Sequence, residues 1–345
     1  MIDWLTIAVD FKHIPINAGR ITCSNPDGTI DWEVPTRTQA RGSFEQSTQV
    51  RSSGFIDQDG FCSTLLLDGN PSKYLQGHNV FGSDDITYLV ELWFRQVCFE
   101  FNLPYSIFDL NRIAYGVFKV TRLDINYMFN LRHSMDVNSF LIALGETGGT
   151  KYQRAVNKKG SVYFNFGSRR WSAVFYNKHT EVNVRNKGRR LLMEPEQNQK
   201  LLKYVEKAIR AEVCIRSIEL KDREMSYGYQ IENVGIAKIY GEFMKKLDIN
   251  GNTRVSDKNI LAMPSAVKGT YSLWLSNHDV RSLMSRATFY RHKKILKEEY
   301  GINIDKPTRE IGSNVVSINK VMELEPLACP EFLVAANLVI LKRAG

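Results

Sequence analysis

Tyr115-Gly-Val-Phe-Lys-Val-Thr-Arg-Leu-Asp-Ile-Asn-Tyr-Met-Phe-Asn-Leu131 reads as one long β-strand with a carboxylate in its middle. Val117, Lys119, Thr121, Leu123 and Ile125 share one parity, and Phe118, Val120, Arg122, Asp124 and Asn126 share the other. Two further segments repeat the design. Arg169-Arg-Trp-Ser-Ala-Val-Phe-Tyr-Asn-Lys-His-Thr-Glu181 is a strand from Trp171 to Phe175 that runs into a tyrosine, a lysine and a histidine. Ile209-Arg-Ala-Glu-Val-Cys-Ile-Arg216 is a strand with Glu212 at its centre.

Working outward, Met1 to Phe11 is an opening strand, and Phe61 to Leu67 alternates as another, ended by Asp68-Gly-Asn-Pro71. Residues 12 to 60 are polar and turn-rich, with Asn25-Pro-Asp-Gly28 as a hairpin turn. Ser83 is placed to cap a helix with Asp84 and Asp85 in its first turn, running to about Phe101 with Ile86, Leu89, Val90, Trp93 and Val97 on its buried face. A short helix from Ser134 or Asp136 to Leu144 and another from 196 to about 209 complete the series. The order β-loop-β-α-β-α-β-β-α-β predicts an α+β domain around an antiparallel sheet over residues 1–225.

After Ser226 the pattern turns mainly helical, beginning with a helix from Val234 to Leu247. Residues 276–299 carry a helix-turn-helix pattern: apolar Val280, Leu283 and Met284, a break at Ser285-Arg286, then a basic second helix from Ala287 to Lys297. Phe289, Ile295 and Leu296 are expected inward, leaving Arg291, His292, Lys294 and Lys297 for DNA. Residues 311–321 suit a wing and 331–342 a last apolar element. Residues 226–345 are therefore expected to be a winged-helix or helix-turn-helix-like DNA-binding domain.

Composition narrows the class. The 345 residues are 43% apolar and 24% charged, which suits a folded chain with a substantial core. A net charge of +9 and a pI of about 9.2 favour an acidic partner such as nucleic acid. Five scattered cysteines without a Cys-x-x-Cys pair exclude a thiolate zinc site and fit a reducing compartment. No apolar run is long enough to span a membrane.

Residues 151–190 hold eleven lysines and arginines against the single acid Glu181, an excess of ten that exceeds the charge of the whole chain. Aromatic residues are interleaved, a pattern suited to phosphate neutralisation with base stacking. Within it, Lys158, Lys159, Arg169, Arg170, Arg185, Arg189 and Arg190 are the expected DNA contacts. Tyr176 is the expected nucleophile and Tyr163 the alternative. A phenol is mostly protonated at neutral pH and needs a cation or base beside it. Lys178 shares its face if the strand continues; His179 joins them if the chain turns or becomes helical.

Lys73-Tyr-Leu-Gln-Gly-His-Asn-Val-Phe-Gly82, Thr121-Arg-Leu-Asp-Ile125 and Tyr176-x-Lys178-His179-x-Glu181 resemble the replication initiators of filamentous phages, the gene-two and gene-ten nicking proteins and their plasmid relatives. Ser285-Arg-Ala-Thr-Phe-Tyr-Arg-His-Lys-Lys294 and Tyr300-Gly-Ile-Asn-Ile304 resemble a subgroup that includes the cholera-toxin-phage type. The resemblance implies rolling-circle replication: one strand is nicked at the origin, its 5′ phosphate stays on a tyrosine, and the ends are later rejoined. It also implies magnesium or manganese, and a divergent HUH-like nicking fold, because the usual His-hydrophobe-His pair is missing. Asp124 and Glu212 are the replacement ligands, with His78 as a third. The implied partners are single- and double-stranded origin DNA and, since no ATP-binding loop is present, a host helicase and polymerase in the bacterial cytoplasm. Homo-oligomerisation is left open. The rival reading is a non-catalytic origin binder or repressor that recruits host enzymes.

Overall fold

The strand expected around Asp124 forms from Lys119 to Asn130 in the computed structural model, which describes all residues except 17–18, 42–46, 132–133, 185–194, 250–251, 254–262, 277, 301–303, 306–315, 318–324 and 343–345. In chain order, the described elements are β1 (Ile2–His13), β2 (Arg20–Ser24), β3 (Ile30–Pro35), β4 (Thr38–Arg41), β5 (Ser47–Ile56), β6 (Cys62–Gly69), α1 (Pro71–Gln76), α2 (Ile86–Glu100) and α3 (Ile107–Ala114). There follow β7 (Lys119–Asn130), α4 (Ser134–Thr147), β8 (Gly149–Thr150), β9 (Val156–Lys158), β10 (Ser161–Phe164), β11 (Trp171–Asn177), α5 (Lys178–Val184), α6 (Pro195–Tyr204) and β12 (Ala208–Arg216). The rest comprises α7 (Ser217–Asp222), α8 (Gly228–Val234), α9 (Ile236–Met244), β13 (Leu247–Asp248), β14 (Asn252–Thr253), α10 (Ser265–Leu275), α11 (Arg286–Tyr300), β15 (Val316–Ser317) and α12 (Glu331–Ala335).

Nine strands form one antiparallel sheet in the order β4-β5-β6-β1-β7-β12-β11-β10-β9. The expected turn at 25–28 joins β2 to β3, with the Asn25 carbonyl accepting from Gly28 N–H and Gly28 at φ 84°. Strands β4 and β5 go beyond what the sequence pattern predicts. Strand β7 starts later than expected because Tyr115 caps α3 and Gly116 turns the chain at φ 72°.

The period-2 alternation gives the sheet two unlike faces. One carries Leu5, Ile7, Leu67, Leu123, Ile125, Val213 and Phe175, all buried in one cluster with Leu89, Val90, Trp93 and Val97 of α2 and with Val137, Phe140 and Leu144 of α4. Each such side chain contributes roughly 1.5–3 kcal/mol by leaving water. Asp85, not Ser83, caps α2, accepting from Tyr88 N–H, and the helix begins at Ile86. Helices α8 and α9, beyond residue 225, pack into this same cluster through Ile231, Ile236, Ile239 and Phe243.

A second cluster joins Met263, Val267, Tyr271 and Trp274 to Val280, Phe289, Leu296 and Ile304. It corrects the expected helix-turn-helix. The described part of 276–284 is turn rather than helix; the first helix is α10, and Val280 packs from the connection. The wing expected at 311–321 lies outside the described residues except for Val316–Ser317, which pairs with Asn252–Thr253.

A third cluster draws the chain back on itself. Leu333 of α12, with Leu327, Phe332, Leu338 and Val339 beside it, packs against Val80, Phe81, Met128, Leu201 and Val205. Leu327 N–H donates to Met128 O at 2.7 Å, and Ile340 N–H to Gln76 Oε1 at 2.7 Å. Residues 325–341 thus strap the loop that follows α1. All five cysteines are free, and no helix among the described residues is long and apolar enough to cross a membrane.

Candidate active site

The second face of the sheet is polar, and strand register sorts it into rows. Met128, Arg210, Tyr176 and Ser161 are successive partners across β7, β12, β11 and β10, and Lys158 on β9 continues the row. The next row is Asn126, Glu212, Val174 and Tyr163; the one after is Trp4, Asp124, Cys214 and Ser172. Tyr176, Glu212 and Asp124 therefore share a face, as the alternation in their strands requires. Tyr163 is two strands from Glu212, about 10 Å by the usual strand spacing, and packs on Phe166 instead.

Tyr176 Oη donates to Glu212 Oε2 over 3.4 Å, a long hydroxyl hydrogen bond between diagonal neighbours. Both residues are half-buried, so each keeps some surface for a substrate. Burial holds the phenol well above its usual range; Arg210 pulls it down, while Glu212, Asp3 and Glu181 push it up. Burial also pushes the Glu212 carboxyl up to about 8, with Asp3 and Asp124 acting the same way against Arg210 and Lys178.

The cation beside the phenol is not the one expected. Strand β11 ends at Asn177, whose Oδ1 accepts from Thr180 N–H, and Lys178 opens α5. Lys178 is 1% exposed, and its Nζ donates to Glu181 Oε2 at 2.8 Å and to Asn79 Oδ1 at 3.2 Å. Burial and Arg210 lower its pKa to about 8 despite Glu181. His179 also lies in α5, its Nε2 2.9 Å from Asn183 Nδ2. Arg210 takes the place beside the phenol. It is fully buried, donates to Asn79 O at 2.6 Å and to Asp3 Oδ1 at 3.0 Å, and faces Tyr176 directly across the strands.

Asp3 is the hub of this network. Its Oδ1 also accepts from Asn70 Nδ2 at 3.0 Å and Asn79 Nδ2 at 2.9 Å, and it occupies the bulge of β1 between Ile2 and Trp4. Sequence reasoning misses Arg210, Asp3 and Asn79. Asn79 stands in the 73–82 motif beside His78, so its signal is the motif itself; Arg210 reads only as a charged strand residue.

The three expected metal ligands fare differently. Asp124 is 1% exposed and held by Arg122 in a two-pronged contact of 3.0 and 2.6 Å. Burial raises its carboxyl, against the pull of Arg122. His78 is buried, with Nε2 2.7 Å from Leu338 O and Nδ1 facing Gln76 Nε2 and Val80 N–H. Burial lowers its pKa to about 4, and both ring nitrogens are engaged, so it does not join the carboxylates. Among the described residues, no three His, Cys, Asp or Glu side chains form a metal-binding group. The residues that do fit a hard cation are the carboxylates of Glu212 and Asp124 with the amide of Asn126 beside them. Asn126 is 1% exposed, and among the described residues neither its Oδ1 nor its Nδ2 has a hydrogen-bond partner.

The expected DNA contacts also divide. Lys158, Lys159 and Arg169 are exposed around the β9–β11 turns, with Lys158 5.1 Å over the Phe166 ring. Arg170 is committed to Glu219 at 2.8 Å and to Asp222. Arg185, Arg189 and Arg190 lie outside the described residues. On α11, Arg291 and Lys294 are exposed, but His292 is only 4% exposed and its Nδ1 is 2.7 Å from Thr270 Oγ1. With the helix starting at Arg286, His292 falls on the buried stripe with Phe289 and Leu296, which removes it from the DNA-facing set.

Comparison with known proteins finds relatives over most of the chain. Residues 1–234 match the N-terminal family of the replication-associated gene-two protein, and residues 255–339 match the C-terminal family of the same protein. The replication-associated gene-two protein of Enterobacteria phage I2-2 is 35% identical over 333 residues, which cover 96% of this chain and 95% of that protein. Those of Salmonella phage IKe and Enterobacteria phage M13 are 29% and 27% identical over 123 and 124 residues, in each case 35% of this chain and 28% and 29% of theirs.

Proposed function

The chain belongs to the replication-associated gene-two protein family of filamentous phages, and on that premise we propose that it starts rolling-circle replication by nicking one strand of the phage origin with Tyr176. The observation that carries the proposal is the Tyr176–Glu212 hydrogen bond on a polar sheet face, beside the buried guanidinium of Arg210. Tyr176 Oη attacks the scissile phosphorus while its proton passes to Glu212 Oε2, which hands it on to solvent. The bond from phosphorus to the 3′ oxygen breaks, that oxygen takes up a proton, and the 5′ phosphate remains on the tyrosine. Rejoining is the reverse: the freed 3′ hydroxyl attacks the phosphotyrosine and Tyr176 regains its proton. Arg210 favours the phenolate electrostatically, and Lys178 holds the loop at Asn79.

Magnesium or manganese held by Glu212 and Asp124 would supply positive charge to the non-bridging oxygens of the phosphate. The DNA backbone crosses Lys158, which lies in the same row as Tyr176, and continues to Lys159 and Arg169. Arg291 and Lys294 on α11 engage duplex origin DNA. Unwinding and synthesis fall to a host helicase and polymerase in the bacterial cytoplasm.

The test is incubation of the full chain with labelled single-stranded origin DNA and manganese, followed by a denaturing gel. A covalent adduct that disappears in Tyr176→Phe is the expected result. Origin binding without any adduct would establish the non-catalytic initiator or repressor instead.

A further inference from the structure

We propose that Asn126 supplies the third protein oxygen of the divalent-cation site, completing with Glu212 and Asp124 the set expected from the sequence to include His78. The inference rests on the metal-dependent reading above. Asn126 and Glu212 are direct partners across β7 and β12, and Asp124 lies two residues along β7 on the same face. Side chains directly opposite one another start about 5 Å apart, and diagonal neighbours about 7 Å, within the span one cation can bridge.

Asn126 and Glu212 each carry a need that a cation would meet, and Asp124 stands beside them. The Asn126 amide is buried with neither end hydrogen-bonded among the described residues, an arrangement that costs about 1–3 kcal/mol when left unfilled. Glu212 has no ion-pair partner among the described residues; its hydrogen bond is to the neutral phenol of Tyr176. Asp124 is forked by Arg122, which takes one lone pair on each of its oxygens and leaves the others for a cation, and it is the diagonal neighbour of Glu212 on the next strand. A buried water would satisfy the amide but would add no positive charge beside Glu212 and Asp124, diagonal neighbours of which only Asp124 is ion-paired among the described residues. A hard cation answers both needs at once, and an amide oxygen with two carboxylates is a donor set that magnesium and manganese accept. His78 is engaged at both ring nitrogens, so it is not available for the third position.

The experiment is calorimetric titration of manganese into the chelator-stripped full chain, with melting temperature followed in parallel. Asn126→Val removes the oxygen and Asn126→Asp restores one. Asn126→Val should bind manganese at least about tenfold more weakly, and Asn126→Asp should recover the affinity. In the metal-free state Asn126→Val should melt no lower than the unaltered chain, because an unpaired amide is replaced by a methyl group. Weak binding by Glu212→Gln together with unaltered binding by Asn126→Val overturns the assignment of Asn126 and leaves the metal reading intact. If the unaltered chain does not bind manganese, both fall. Were Asn126→Val to unfold, a manganese affinity in Asn126→Asp no higher than in Asn126→Ser would equally overturn it.

Discussion

Tyr176 and Glu212 are diagonal neighbours on adjacent strands, joined by a 3.4 Å hydrogen bond from phenol to carboxylate. In the reaction proposed above the tyrosine gives its proton across this contact and the glutamate receives it. A protonated glutamate cannot receive, so on that reading the ionisation of Glu212 governs the attack.

In the proposed reaction strand cleavage should therefore accelerate with rising pH as Glu212 loses its proton, with a midpoint below the cation-free value of about 8 because the bound cation favours the carboxylate. The residual activity of Glu212→Gln at saturating manganese should lack that limb. Single-turnover rates between about pH 6 and 9 decide this; an unchanged profile in Glu212→Gln would remove the glutamate from proton transfer.

The same group leaves a stability signature. Its folded pKa lies above the ordinary carboxylate value, so between about 4.5 and 8 the folded state binds more protons than the unfolded chain. Stability then falls as pH rises through that window. In the presence of a chelator, Glu212→Gln should gain melting temperature over the unaltered chain at about pH 8 and gain little at about pH 5.

Arg210 is fully buried, and its removal would strand Asp3 at the centre of its amide and guanidinium contacts. Arg210→Met should cost about 3–5 kcal/mol, as deletion of one partner of a buried ion pair does. Arg210→Lys keeps the charge but loses the fork that reaches Asn79 and Asp3 together. It should fold better than the methionine variant yet nick slowly. Denaturant melts and adduct yield separate the two effects.

On α11, charge and packing should come apart. Arg291→Ala with Lys294→Ala should lower origin affinity and reduce the slope of log affinity against log salt by about 2. His292→Ala should instead destabilise the cluster built on Phe289 and Leu296, with a smaller change in salt dependence. If the double variant keeps both affinity and slope, α11 does not meet DNA.

A chain ending before Leu327 should release His78. Its Nε2 bond to Leu338 O and its burial would both be lost, and its pKa should climb from about 4 towards the ordinary 6.5. Proton NMR of the histidine ring measures this directly. The truncated chain should also lose adduct formation, because the Asn79 loop is held from one side by the strap and from the other by Lys178 and Arg210.

Much of this is visible in the residues themselves. Alternation places Asp124, Glu212 and Tyr176 in strand interiors, and antiparallel pairing of those strands brings the three onto one face without further information. What alternation does not encode is which buried charge sits beside the phenol. Lys178 stands two residues from Tyr176, but the chain turns helical at that point, whereas Arg210 arrives from a separate strand, β12, through antiparallel pairing. Asp3 enters through a bulge, which breaks the periodicity that would otherwise locate it. The edge strand β4 and its neighbour β5 are obscured by their Ser, Thr, Gln and Arg content. His292 escapes a reading by residue type because a basic residue can occupy an apolar stripe when Thr270 supplies its hydrogen bond.

The strap formed by residues 325–341 also sets a clock on biogenesis. The site is assembled from Asp3, which is translated early, and from a loop that is held on both sides only once Leu338 and Ile340 have been made. A nascent chain on the ribosome carries Tyr176 long before it carries the clasp that steadies the surrounding loop. On the proposed function, translation would thus deliver a nicking-competent chain only after the strap has emerged, and shorter products of premature arrest would leave the origin uncut.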